Sequence, residues 1–368
     1  MKPREKYHKD PDRILLVTTL VLIVFGLVAV SSASTVLSFQ RFGNNTHYLF
    51  RQLIAAGAGL VGMWVVSRID YQMWRKWSRV ILFVSGLSLA LVLIPGLGFK
   101  TGGTRGWFSI GPFLLQPSEF AKLAIIFYLA SWFERKPGAE NNFWFGILPA
   151  LFVIGIPIGL IILEPDIGTV SIIAMIVATI FFAAGVRLKY LAGLASVSAA
   201  ALWILVKSAP YRAARILTFL NPSLDVRGIG YHINQALLAI GSGGLWGYGF
   251  GASRQKHNYL PESIGDSIFA VMAEELGFVR IILLILLFAV FGLAGFRLAK
   301  KAPDRFSQLA VVGITGWVVF QALLNIGAIT GLLPLTGVTL PFISYGGSSI
   351  VALSLGVGVL LNISKQRV

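Results

Sequence analysis

The sequence runs to 368 residues, 56% of them hydrophobic and 12% charged, with a mean hydropathy of +0.79. A soluble globular domain carries about 25% charged residues, so the composition excludes one and puts the chain in the membrane class. The net charge of +16 comes without a base-reading motif or basic stripe, which excludes nucleic acid as a partner, and the absence of cysteine excludes disulfides, thiolate catalysis and zinc thiolate sites.

Apolar stretches of about 20 residues, the length that crosses a bilayer, predict ten helical spans. In chain order they lie at roughly 14–34, 51–69, 79–97, 118–134, 143–163, 167–186, 189–207, 266–296, 306–330 and 347–364. The first is longer than the apolar core of a signal peptide and many follow it, so it reads as a retained helix. The sixth and seventh are split only by Arg187, Leu188 and Lys189, and the fourth holds Glu119 and Lys122. The pattern predicts an all-α polytopic membrane protein, one domain over 1–368.

Short-loop charge sets the orientation. Basic residues cluster at 2–13, 68–79, 135–136, 187–189, 297–305 and 365–367, whereas the opposite short loops hold only Arg41, Arg51, Lys100 and Arg105. The positive-inside rule then puts both termini in the cytoplasm. A long outer loop, about 208–265, is exempt from that rule. Its stretch 230–240 is apolar and periodic, an expected interfacial helix broken by Gly241-Ser242-Gly243-Gly244. A second outer segment, 331–347, contains Pro334, Pro341 and four glycines but no charge. Such backbone is expected to dip into the protein and line a cavity.

Ionisable residues in or beside spans are costly and therefore informative. Asp266 opens the eighth span. It is either a carboxylate at the outer membrane end, able to take a proton from a hydroxyl, or half of a capping box with Ser263. Glu119 and Lys122, at i and i+3, form an internal ion pair or line a substrate path. Glu164 and Asp166 flank Pro165 as helix caps or as ligands for Mg²⁺ or Ca²⁺. Glu274 and Glu275 are expected to pair with neighbouring helices, since Arg280 is poorly placed for them. Lys256, Arg254, Arg212, Arg215 and Arg105 are outer cations that could hold a pyrophosphate. The four histidines, His8, His47, His232 and His257, show no metal-ligand spacing. The sequons at Asn44 and Asn362 are expected to be chance.

As a set, several stretches resemble the SEDS family (shape, elongation, division and sporulation proteins). They are Gly106 to Lys122, Glu164-Pro-Asp-Ile-Gly-Thr169, Gly230-Tyr-His-Ile-Asn-Gln235 with Ala239 to Gly244, Tyr259 to Glu262 followed by Asp266 and Ala273-Glu-Glu-Leu-Gly277, and Pro341 to Ser349. The likeness covers nearly the whole chain, and within the family it leans toward the FtsW division branch rather than the RodA elongation branch.

The resemblance implies a peptidoglycan glycosyltransferase that polymerises lipid II on the outer face of the bacterial cytoplasmic membrane. Its catalytic aspartate falls on Asp266. Glu119, Lys122, Glu164, Gln235 and Ser344 are expected along the substrate path, and Lys256, Arg105 and Arg215 at the pyrophosphate. No cofactor is implied with certainty; a divalent cation, Mg²⁺ or Mn²⁺, stays open. Expected partners are a class B penicillin-binding protein and other divisome or elongasome membrane proteins. The competing reading is a lipid II flippase. The family often has His-Thr before the aspartate, where this chain has Ile264-Gly265, and Arg280 has no account at this level.

Overall fold

The computed structural model describes residues 10–101, 104–111, 113–207, 217–221, 228 and 230–366. Helices coincide with all ten expected segments: α1 (Arg13–Ala33), α3 (His47–Val66), α4 (Tyr71–Val92), α5 (Pro117–Arg135), α6 (Leu148–Leu163), α7 (Ile167–Ala184), α8 (Leu188–Lys207), α10 (Ile268–Lys300), α11 (Arg305–Ile329) and α12 (Gly347–Lys365). Two short helices join them, α2 (Thr35–Phe42) and α9 (Tyr231–Ser242), the latter where the apolar outer stretch lies. Seven of the described helices are long and apolar enough to cross a membrane: α1, α3, Phe143–Leu163 (which contains α6), α7, α10, α11 and α12. Charge explains two of the other three: α4 carries Arg75, Lys76 and Arg79, and α5 carries Glu119 and Lys122.

Helix α5 can hold those charges because it is the central helix. It packs against α4, α7, α11 and α12, and nearly every residue from Pro117 to Phe133 is buried. Around it, α3 and α12 approach closely. A Cβ on Gly358 would come within 2.7 Å of the Met63 carbonyl oxygen, the small-residue contact by which helices associate in lipid. Side-chain caps fix the helix starts. Asp12 accepts from the amides of Ile14 and Leu15 at α1, and Asp304 and Ser307 form a reciprocal capping box at α11.

The segment between α4 and α5, read from sequence as a loop, folds as a three-stranded antiparallel sheet, β1 (Gly98–Thr101), β2 (Thr104–Ile110) and β3 (Phe113–Leu115). The basic clusters meet at the opposite end of the bundle. There Arg75 pairs with Glu134, Arg305 with Glu140, Tyr71 donates to Asp304, and the Asp12 amide donates to Ser364. Asn362 is buried between the Tyr71 amide and the Ser67 carbonyl, so its sequon is a structural amide.

One expected span changes shape. The eighth, 266–296, is two helices, because Gly277 has φ 77° and ψ 172° inside α10. The piece 278–300, about 23 residues or roughly 34 Å, crosses a bilayer by itself. The piece 268–276 is a half-helix whose residues 268–275 are all buried. It lies inside the protein rather than against lipid.

Candidate active site

The half-helix exists because its broken ends are satisfied. A helix break orphans carbonyls on one side and amides on the other. The chain after α9 supplies both. The amides of Tyr248 and Gly249 donate to the carbonyls of Glu274 and Glu275, and the amides of Phe278 and Val279 donate to the carbonyls of Gly244 and Leu245. The Arg280 guanidinium bonds the carbonyls of Trp246 and Leu276, which accounts for that residue. Glycine permits the crossing: a Cβ on Gly277 would sit 2.3 Å from the Gly247 nitrogen, and one on Gly247 2.2 Å from the Glu275 oxygen.

The carboxylates at the end of the half-helix hold the chain that leads to its start. Glu274 accepts from the Ser253 hydroxyl and from the amides of Arg254 and Gln255. Glu275 accepts from Ser32 of α1, from the Ser253 amide, and from Lys256 Nζ at 2.9 Å. The pairing expected with neighbouring helices holds only for Glu275 with Ser32; the other partners come from the 253–256 loop, which the helix break draws alongside.

Asp266 is thereby set at the start of the half-helix, immediately before its N-cap Ser267. The expected capping box with Ser263 does not form; the N-cap is Ser267, whose side chain makes no capping bond. Asn325 of α11 donates to the Asp266 carbonyl at 2.8 Å, and the Tyr345 amide bonds the Ile264 carbonyl, so the backbone on both sides is pinned. Asp266 Oδ2 faces Gly337, 3.9 Å from where a Cβ would stand there. Oδ1 lies 3.4 Å from Ser267 Oγ, which is 2.6 Å from His232 Nε2 of α9. Surrounding protein, then the Asp266 charge, push the Glu262 carboxyl above the usual range, while His232 and Arg41 pull it back.

The uncharged segment 331–346 forms the opposite wall. Buried irregular backbone needs partners, and amide side chains provide them. Gln321 donates to the Thr339 carbonyl, Asn325 to Val338, and Gln52 to Ser344 while accepting from the Gly346 amide. Beyond this wall lies a second polar group. Lys122 Nζ sits 2.6 Å from Glu119 Oε1 and 3.3 Å from Gln321 Oε1, over the Trp317 ring. Asp166 caps α7 through the Thr169 amide and hydroxyl and feels the Lys122 and Glu119 charges. Glu164 is the C-cap residue of α6, its amide donating to the Leu160 and Ile161 carbonyls, but its side chain caps nothing: both its oxygens are buried without a partner, under Gly106 of β2. Burial, then the Asp166 charge, push its carboxyl up to about 8. Glu119 Oε2, Thr336 Oγ1 and Asn325 Oδ1 are buried and unpartnered as well.

An apolar groove of about 600 Å³ runs along α4 from Met73 to Ser88 and is closed by Leu115, Pro117 and Phe120. Among the described residues, no three His, Asp or Glu stand close enough to hold a metal ion. Of the two carboxylates considered for a cation, Asp166 is engaged by the Thr169 amide and hydroxyl, whereas both Glu164 oxygens stand without a hydrogen bond.

The expected site residues sort as follows. Asp266 stands against Gly337 of the 331–346 segment, and Glu119, Lys122 and Glu164 are buried in the second polar group beyond it. Lys256 does not reach out as a free cation. It is 5% exposed and gives its three protons to Glu275, Ser32 and the Gly251 carbonyl, because the buried Glu275 charge needs a counter-ion. Ser344 is also occupied, its hydroxyl accepting from the Leu340 amide. Gln235 is half-buried on α9, one turn beyond His232, and Arg105 lies on β2 next to Gly106. Arg215 and Arg212 fall outside the described residues. Sequence reasoning missed His232, Ser267 and Glu262. His232 and Glu262 belong to quoted motifs and Ser267 directly follows Asp266, but no spacing rule joins them.

Residues 12–368 match the FtsW/RodA/SpoVE family, described as cell cycle protein. The chain is 42% identical to stage V sporulation protein E of Bacillus subtilis over 97% of both chains. It is also 42% identical to the probable peptidoglycan glycosyltransferase FtsW of Trichlorobacter lovleyi, over 96% of this chain and 93% of that one. Among solved structures, it superposes with a TM-score of 0.80 and 31% identity on a chain of a peptidoglycan synthase complex that coordinates polymerization and crosslinking, covering 97% and 98% of the two chains. It superposes on the rod shape determining protein RodA of Thermus thermophilus with a TM-score of 0.71 and 30% identity, covering 97% of each.

Proposed function

The chain belongs to the FtsW/RodA/SpoVE family of cell cycle proteins, and from that premise we infer that it is a multi-pass membrane peptidoglycan glycosyltransferase with Asp266 as its base. The substrate is lipid II, a disaccharide on a polyprenyl pyrophosphate, and the site faces outward from the bacterial cytoplasmic membrane. The single observation that carries the assignment is the half-helix. A buried helix, broken and capped on both sides of Gly277, begins at a carboxylate set against the uncharged 331–346 segment.

Asp266 removes the proton from the 4-hydroxyl of the acceptor sugar. That oxygen attacks the anomeric carbon of the donor, and the bond to the pyrophosphate breaks with its electron pair on the phosphate oxygen. An α-linked donor and a β-1,4 product require inversion, so one displacement and one base suffice. The transition state is oxocarbenium-like. Unpartnered oxygens on Glu119, Glu164, Thr336 and Asn325 suit sugar hydroxyls and amides, which would satisfy buried groups otherwise left orphaned. The groove along α4 suits a polyprenyl chain, being apolar and open toward lipid. Lys256 acts as a buttress, and Lys100 and Arg105 are the described cations on the hairpin. A class B penicillin-binding protein is the proposed partner, since the similar chain works in a complex that couples polymerization to crosslinking.

General-base assistance is worth about 10²–10⁴-fold, so Asp266→Asn should lose that much glycan formation from lipid II while melting like the parent. Near-normal polymer from the variant would remove Asp266 from the role. One observation favours a second reading, a lipid-linked sugar transporter: broken helices also line transporter sites. Polymer made by purified protein in detergent, where nothing can be transported, separates the two.

A further inference from the structure

We propose that His232 is a positioning residue for Asp266, acting through the hydroxyl of Ser267; the proposal rests on Asp266 being the base. Ser267 Oγ lies between the two, 2.6 Å from His232 Nε2 and 3.4 Å from Asp266 Oδ1. A serine hydroxyl has one proton to give and lone pairs to accept with. When that proton goes to Oδ1, His232 must be the donor to Oγ, which places a hydrogen on Nε2. The outer link is long, as catalytic hydrogen bonds often are before substrate arrives.

Ser267 occupies the N-cap of the half-helix, the place where serine ordinarily accepts from an amide of the first turn. Here it makes no such bond. The hydroxyl is fully buried and turned to His232 and Asp266 instead. Helix α9 holds His232 by burying Ile233, Ala236 and Ala239 and packing on α10. With Oδ1 engaged on this side, rotation of the carboxylate is restrained and Oδ2 is presented toward Gly337 of the 331–346 segment. The residue pair thus holds Asp266 from an element 35 residues away in sequence.

The test uses the purified full-length chain in detergent with lipid II. A small misplacement of a reacting group costs up to about 100-fold, so His232→Ala and Ser267→Ala should each lower kcat about 10–100-fold with KM nearly unchanged. The double variant should be no worse than either single one, because both remove the same link. His232→Gln, whose amide nitrogen can stand where Nε2 stands, should restore kcat to within a few-fold of the parent, and it carries the test if the alanine variant does not fold. A kcat for His232→Ala within twofold of the parent, a loss confined to KM, a glutamine variant as poor as alanine, or fully additive losses would each overturn the proposal. Should Asp266→Asn be inactive while His232→Ala is normal, only the positioning role falls; should Asp266→Asn be active, the reading of the base falls with it.

Discussion

Glu164 is a carboxyl group with no hydrogen bond, pushed from 4.5 to about 8 by burial and by Asp166. The folded chain therefore binds a proton between those two values where the unfolded chain does not. Stability from this group is full below about 4.5, is lost as pH rises toward 8, and changes no further above it. Glu164→Gln should flatten that slope and melt higher than the parent at pH 8 and above. Equal slopes for the two proteins would show Glu164 ionised in the fold. Lys256 poses the reverse case. Removing one partner of a buried ion pair costs about 3–5 kcal/mol, because the other charge is stranded. Lys256→Met should lose about that much stability, and adding Glu275→Gln should recover most of it with the KM for lipid II unchanged. A double variant that folds but binds lipid II much more weakly would return Lys256 to the pyrophosphate.

At the scale of elements, the break in α10 is what delivers Asp266, and glycine backbone makes the break possible. Gly277 holds φ 77° and abuts the Gly247 nitrogen. A left-handed backbone at a non-glycine residue costs about 1–3 kcal/mol before any clash. Gly277→Ala should therefore lower the melting temperature and lose polymerisation together, since the base rides on the half-helix. Gly86→Ala serves as the control: it lies in α4 with nothing within 4 Å of a Cβ, and alanine there should be neutral or mildly stabilising.

Across the whole molecule, the lipid-facing surface explains why apolar side chains stay exposed. Phe83, Phe145 and Phe152 are 72%, 79% and 74% exposed, a surface that water would penalise and hydrocarbon accepts. The bundle also has two chemically distinct ends, one gathering the short-loop cations, the other holding Asp266, Glu164 and the hairpin. Because the chain has no cysteine, single cysteines report this polarity cleanly. Lys100→Cys on the hairpin should react with an impermeant maleimide in intact spheroplasts, whereas Lys301→Cys, between α10 and α11, should react only after permeabilisation. Labelling of both from one side would sink the proposed orientation.

Membrane class, the segments that become helices and the Glu119–Lys122 pair were legible in the sequence, because hydropathy is a local sum and an i,i+3 pair needs only one helix. Asp266 was legible through its neighbours in a motif. The break at Gly277 was not: Glu274-Glu275-Leu-Gly277 reads as helix until the glycine's conformation is fixed by a loop 30 residues earlier. The same holds for Lys256 with Glu275, Ser32 with Glu275, and His232 with Ser267. Which buried donor meets which acceptor is decided by where distant elements cross, so only the tertiary structure could turn a cation expected at the pyrophosphate into a counter-ion and bring His232, legible only as part of a motif, to the aspartate.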